Sequence, residues 1–196
     1  MQRKQTAGTF EEDIQKSLAV LKNGGVIVYP TDTVWGIGCD ATRDDAVNKL
    51  QGIKLRNGKK SLIVLVSGLP MLERYVREIP EIAYELLEVS DRPLTIIYPE
   101  GRNLAAGIYA GDNSVAIRIC KEPFVNVLID RFRKPLVSTS ANFSTKPFPS
   151  NFDEIDPALL KKADYVVRYR QDDRKQYRPS SLIRVELSGV ISIIRD

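Results

Sequence analysis

Three short segments of this 196-residue chain carry residue types that can bind an anion. From Tyr29 to Asp40 the order is Tyr-Pro-Thr-Asp-Thr-Val-Trp-Gly-Ile-Gly-Cys-Asp. Thr31 and Thr33 offer hydroxyls there, and Gly36 and Gly38 let backbone approach a ligand. Turns use the same residues, so this loop taken alone serves equally for chain reversal. Lys54 and Arg56 fall where a helix is predicted to end, with Lys59 and Lys60 just before the next strand. Lysine supplies a mobile point charge and arginine a planar fork, both suited to phosphate. The same cations can instead complement the negative end of the helix dipole. Ser138-Thr-Ser-Ala-Asn142 closes a predicted strand whose alternation puts Ser138 and Ser140 on one face and Thr139 on the other. Asn142 can add amide hydrogen bonds or simply turn the chain. Together the three segments are expected to form one cationic, hydroxyl-rich pocket for a nucleotide phosphate.

Composition narrows the chemistry. The chain has no histidine, which removes Ser-His-Asp and Cys-His catalysis and most catalytic zinc sites. Carboxylates, lysine, arginine, hydroxyls, backbone amides or a bound magnesium ion remain. Cys39 and Cys120 are the only cysteines and lie far apart without a CxxC pair. They suggest neither a zinc site nor a disulfide framework, and reduced thiols fit a cytoplasmic protein. No apolar run approaches the ~20 residues of a membrane span, so no membrane partner is expected. Neither GxxxxGK[ST] nor GxGxxG occurs, so neither P-loop hydrolysis nor Rossmann dinucleotide binding is supported. A formal charge of +4 favours anionic partners such as nucleotides or RNA.

The elements that must position these residues follow from periodicity. Thr9 and Glu12 read as a capping box opening a helix with Phe10, Ile14, Leu18 and Leu21 on its apolar face, stopped at Asn23-Gly24-Gly25. Residues 26–29 read as a buried strand ended by Pro30. A helix is predicted over 43–54 and a strand over 61–66, then helices over 71–77 and 81–88, the latter with Pro80 at its first turn. Strands at 94–98 and 115–119, a helix at 122–132, a strand at 135–140, a short helix at 155–161 and a strand at 165–167 follow. Residues 181–185 and 190–194 form a predicted hairpin. The 168–179 segment carries five basic residues and reads as a mobile surface loop that could close over phosphate. The alternation predicts a single α/β domain over 1–196, a twisted mixed sheet flanked by helices.

These segments, in this order, resemble the YrdC-like family, the threonylcarbamoyl-AMP synthases that begin threonylcarbamoyladenosine formation on tRNA. Tyr29-Pro-Thr-Asp-Thr-Val-Trp-Gly matches the family's Pro-Thr-Asp-Thr-x-Tyr-Gly-Leu signature with Trp35 in place of tyrosine. Lys54-Leu-Arg56 matches its Lys-x-Arg motif and Ser140-Ala-Asn142 its Ser-x-Asn motif. Ser114-Val-Ala-Ile-Arg118, Pro179-Ser-Ser and the terminal Ile194-Arg195 are further matches. Departures occur at Asp91-Arg-Pro-Leu-Thr95, where the family has Pro-Gly-Pro-x-Thr, and at Cys120, Thr145 and Ser181.

The resemblance implies a nucleotidyltransferase. Bicarbonate and threonine form a carbamate that attacks the α-phosphorus of ATP and releases pyrophosphate, with magnesium on the triphosphate and no covalent enzyme intermediate. It implies Lys54, Arg56 and Ser140 as catalytic groups. ATP would be held by these three with Ser114, Asn142, Ser150 and Arg195, and threonine by Thr33, Lys60, Arg118 and Ser180. It also implies no dedicated protein metal site, a downstream tRNA threonylcarbamoyl transferase, and RNA as a further partner. The alternative is a catalytically diverged YrdC-like protein that binds nucleotide or double-stranded RNA.

Overall fold

The computed structural model describes residues 2–54 and 62–196, with side chains from Thr9 onward. Helix α1 (Gln2–Lys22) begins upstream of the predicted capping box, because no proline interrupts the preceding residues, so Thr9 lies inside the helix. Its buried Ile14, Leu18 and Leu21 face the core, and Gly24 at φ 73° ends it in the left-handed conformation that glycine adopts without strain. Strand β1 (Ile27–Tyr29) is wholly buried.

Strand β2 (Gly36–Gly38) forms where the residue types predict a loop. Glycine is a poor strand former, yet here only glycine fits: a Cβ on Gly38 would overlap the Val137 carbonyl oxygen, and one on Gly36 would lie 2.9 Å from Ser138 Oγ. Helix α2 (Asp44–Ile53) buries Ala46, Val47, Leu50 and Ile53 and ends at Lys54, as expected. Then come β3 (Ile63–Val66), α3 (Leu69–Tyr75), α4 (Glu81–Val89), β4 (Leu94–Tyr98), β5 (Val115–Ile119), α5 (Pro123–Phe132) and β6 (Leu136–Ser140). The chain closes with α6 (Pro157–Leu160), β7 (Tyr165–Val166), β8 (Ser181–Val185) and β9 (Ile191–Arg195). Asp156 caps α6, accepting from Ala158 N at 2.9 Å, and Gly189 at φ 84° turns the predicted β8–β9 hairpin.

The strands form one mixed sheet in the order β7-β1-β2-β6-β3-β5-β4-β8-β9. Strand β6 is its hinge piece: Ser140 and Thr139 pair with Gly36 and Ile37 of β2, while Ser138, Val137 and Leu136 pair with Ile63, Val64 and Leu65 of β3. Because β5 lies parallel to β3, Arg118 sits opposite Leu65. On the far side β8 runs parallel to β4, and β9 brings Arg195 opposite Leu182. Helices α1 and α5 pack together through Phe10 and Phe124, ring centroids 5.4 Å apart.

The 168–179 segment is a tied strap, contrary to the expected mobile loop. Buried Asp13 of α1 accepts the backbone N–H groups of Arg168 and Tyr169 at 2.9 and 2.8 Å, and the Tyr165 hydroxyl at 2.5 Å. The Tyr169 ring packs edge-on to Phe10 at 5.0 Å. Farther along, Tyr177 N donates to Ser150 O at 3.0 Å, and Arg174 pairs with Asp153 at 3.1 Å. The sequence does not reveal this because the anchor is a carboxylate on the first helix, remote in the chain. Among the described residues no helix is long and apolar enough to cross a membrane.

Candidate active site

The end of β6 stops where α2 also stops, and a single buried lysine joins the two. Lys54 Nζ donates to the Ser140 carbonyl at 2.6 Å, to the Asn142 carbonyl, and to Asn142 Oδ1 at 3.2 Å. Ser140 Oγ donates to the same Oδ1 at 2.5 Å, and Ser144 Oγ returns a bond to Lys54 O at 3.0 Å. Lys54 is 1% exposed. A lysine this deep is tolerated because oxygen acceptors surround its ammonium group.

A second group forms where the β1–β2 loop meets β5. Thr31 Oγ1 donates to Val34 O at 2.8 Å, which uses its only proton. In the 2.9 Å contact between the two hydroxyls Thr33 is therefore the donor. Thr33 Oγ1 in turn accepts from Arg118 Nη1 at 2.8 Å. Arg118 also pairs with Asp32 at 3.3 Å, and Asp32 is fixed by Lys121 N at 2.9 Å and by the Cys120 thiol at 3.4 Å. Burial pushes that thiol up to about 12, so at neutral pH it is a donor and not a nucleophile. Beside them, Ser180 shares a 2.7 Å hydroxyl contact with buried Thr95, and Arg195 donates to Ser180 O through Nε at 3.1 Å and Nη2 at 2.8 Å.

Both groups line one cavity of about 320 Å³. Lys54, Ser140 and Asn142 contribute from the first, and Thr33, Arg118, Ser180 and Arg195 from the second. Gly36, Ser138, Ser144, Phe148 and Pro179 also contribute, as does Thr139, which strand alternation alone puts on the opposite face. Arg56 and Lys60 lie outside the described residues. Ser114 is placed elsewhere: it is buried, its hydroxyl donates to Asp112 at 2.6 Å, and Arg184 donates to it at 3.3 Å. Ser150 is likewise not among the lining residues; its backbone N–H is bonded to Glu154 at 2.8 Å. Sequence reasoning missed Asp32 as the partner of Arg118, Thr95 as the partner of Ser180, and Phe148. Thr95 was signalled by its place in the Pro-Gly-Pro-x-Thr correspondence, and Asp32 by lying between the two threonines.

The lining is electrostatically one-sided. It holds three cations and, among the described residues, no carboxylate. Burial holds the Arg195 guanidinium below its usual range, and the neighbouring charge of Arg118 pushes the same way. Arg118 Nε is buried without a hydrogen-bond partner among the described residues. An unpaired buried donor of a charged group is costly, and an anionic ligand oxygen would remove that cost. Hydroxyls, amide groups and cations converging on one concave space suit a ligand carrying phosphate and carboxylate groups.

Residues 19–196 match the Sua5/YciO/YrdC family model, whose description is telomere recombination. The threonylcarbamoyl-AMP synthase of Xanthomonas campestris pv. campestris is 37% identical over 159 residues, covering 79% of this chain and 84% of its own. Its namesake from Stenotrophomonas maltophilia is 34% identical over 182 residues, covering 91% and 96%. Among solved structures, a double mutant of P. abyssi Sua5 matches 93% of this chain with a TM-score of 0.83 at 25% identity. P. abyssi Sua5 complexed with L-threonine matches 88% with a TM-score of 0.78 at 27% identity. This chain spans 55% and 50% of those two proteins, about half their length. With a family model running through nearly the whole described fold and synthases above 30% identity along most of its length, the chain belongs to the Sua5/YciO/YrdC family.

Proposed function

We propose that this protein is a threonylcarbamoyl-AMP synthase, joining threonine, bicarbonate and ATP into threonylcarbamoyl-AMP with release of pyrophosphate. The observation that carries this reading is the meeting of the Lys54–Ser140–Asn142 group and the Thr33–Arg118–Ser180–Arg195 group in one cavity. Relatives of 34 and 37% identity bear the synthase name, which does not favour a diverged nucleotide- or RNA-binding protein.

In the proposed reaction the threonine amine takes up bicarbonate with loss of water, and a carbamate oxygen forms the new bond to the α-phosphorus as the bond to pyrophosphate breaks. The chain's part is positioning and charge stabilisation, which can supply most of the catalysis in phosphoryl and nucleotidyl transfer. Lys54, Ser140 and Asn142, with Arg56 assigned by the family motif, are taken to hold the phosphates, and Arg195 reaches them from the opposite group. Thr33, Arg118 and Ser180, with Lys60, are taken to hold threonine, whose carboxylate suits Arg118 Nε, a donor without a partner among the described residues. Assignment of Ser114 and Ser150 to ATP rests on the family resemblance alone.

Magnesium is proposed to arrive with the triphosphate. Ser138, Thr139, Ser140 and Ser144 bring hydroxyls to the lining, groups of a kind suited to its water shell. When bound it would offset charge on the departing pyrophosphate. The product is proposed to pass to a transferase that acts on tRNA. A cytoplasmic setting is proposed on Cys39 and Cys120, which are both free thiols.

Purified protein with ATP, threonine, bicarbonate and magnesium is expected to release pyrophosphate only when threonine is present. The mass of threonylcarbamoyl-AMP should appear in the product. Pyrophosphate release indifferent to threonine, or none under conditions where an authentic synthase works, would overturn the proposal.

A further inference from the structure

We infer that Arg170, on the strap, is a positioning residue for the amino-acid half of the site, an inference that rests on the proposed synthase function. Arg170 is not in the cavity lining, and nothing in the sequence separates it from the four other basic residues of its segment. Its surroundings do. The side chain is only 15% exposed, and its backbone sits at φ 64°, a left-handed conformation that costs a non-glycine residue energy. Surrounding contacts must hold it there.

Those contacts spread across one guanidinium. Nη1 donates to the Thr31 carbonyl at 3.2 Å and to Glu122 Oε2. Nη2 and Nε both donate to Asp173, at 2.9 and 3.2 Å. The group also lies over the Tyr177 ring, 4.9 Å from its centroid, and the Tyr177 hydroxyl bonds to the same Asp173 oxygen at 2.9 Å. Glu122 is buried, and its other oxygen, Oε1, has no partner among the described residues. Arg170 is therefore what offsets the buried Glu122 charge.

The contact that matters for function is the one to Thr31. Thr31 is bonded to Thr33, and Thr33 is bonded to Arg118. Arg170 fixes the backbone at the root of this relay, while Asp32, the next residue, is fixed by Lys121 N. The loop is thus pinned from the strap and from the end of β5, and this sets where the Thr33 hydroxyl and the Arg118 guanidinium point. The Lys54–Ser140–Asn142 group is braced by its own bonds between the ends of α2 and β6, so its grip on phosphate should be unaffected.

Three variants separate positioning from folding. R170A alone leaves a buried, uncompensated Glu122 and can fail to fold. The double variant R170A/E122Q removes both charges, and E122Q alone keeps Arg170 on Thr31. Steady-state kinetics and ATP-binding calorimetry are expected to give a threonine KM at least 10-fold higher in R170A/E122Q than in E122Q. ATP Kd should stay within 2-fold in both. R170K, which can reach Glu122 but cannot fork across three oxygens, should fall between. Equal threonine KM in folded R170A/E122Q and E122Q would overturn the positioning role, as would a parallel loss of ATP affinity. A wild-type protein with neither threonine binding nor threonine-dependent turnover would overturn the synthase reading, and this inference with it.

Discussion

The two halves of the cavity lining handle positive charge in different ways. Around Lys54 the ammonium group faces two backbone carbonyls and a side-chain amide oxygen, so one cation cross-braces the ends of α2 and β6. Around Arg118 the cation faces a carboxylate and a hydroxyl, and its Nε has no partner among the described residues. A second guanidinium, Arg195, crowds it. The first half is a structural joint that also presents charge. The second is a charged surface held in readiness for an anion, stabilised less by its own contacts than by the elements around it.

The largest expected effect comes from breaking the joint. K54M keeps much of the volume but removes the donor to two carbonyls, and bonds to charged groups are worth about 1.5–3 kcal/mol. We expect a loss of roughly 3 kcal/mol in urea unfolding together with at least 10-fold weaker ATP binding. R118M should behave oppositely. Asp32 keeps its bonds from Lys121 N and Cys120, and repulsion on Arg195 is relieved. Threonine affinity should fall 10-fold or more, and the lost hydrogen bond to Thr33 and ion pair to Asp32, partly offset by relieved repulsion on Arg195, should cost about 1–2 kcal/mol, less than K54M. If R118M unfolds as readily as K54M, the contrast between the halves is wrong.

A smaller effect is expected for T95V. It deprives Ser180 of its buried hydroxyl partner at about 1 kcal/mol, raising threonine KM a few-fold while ATP Kd holds. The smallest is S114A, at a position that the resemblance assigns to nucleotide and that is not among the cavity's lining residues. ATP Kd should stay within 2-fold. The Ser114 hydroxyl holds the Asp112 carboxyl at about 2, below the usual carboxylate range. A folded-state value below the unfolded one stabilises the protein above the ordinary pKa near 3.8 and is lost as pH falls toward 2. Acid unfolding of S114A, followed by circular dichroism, should therefore shift slightly to higher pH.

The site is legible in the sequence where its pattern is local. A cation at a helix end and hydroxyls at a strand end are contiguous features, so Lys54, Ser140 and Asn142 are marked by their immediate neighbours. Arg118, Ser180 and Arg195 carry no such local mark, and only their motif correspondences select them. The pairings of Asp32 with Arg118 and of Thr95 with Ser180 depend on strands that meet only in the sheet. Strand β2 is hidden because glycine argues against a strand, whereas here the closeness of the Val137 carbonyl demands it. The tied strap is hidden for the same reason of distance, since Asp13 and Arg168 meet only after α1 and β7 have docked.

Strand β9, at one edge of the sheet, delivers Arg195 into a cavity whose opposite contributor, Thr33, comes from the loop after the first strand. Contacts of such sequence separation form late, because loop closure must precede them. The cavity is complete only when β9 and the loop after β1 are both in place. Ligand binding adds its free energy only to the complete sheet, and an ATP or threonine analogue should slow unfolding of the β8–β9 hairpin as strongly as it slows that of the β1–β2 loop, in effect fastening two distant parts of the sheet together.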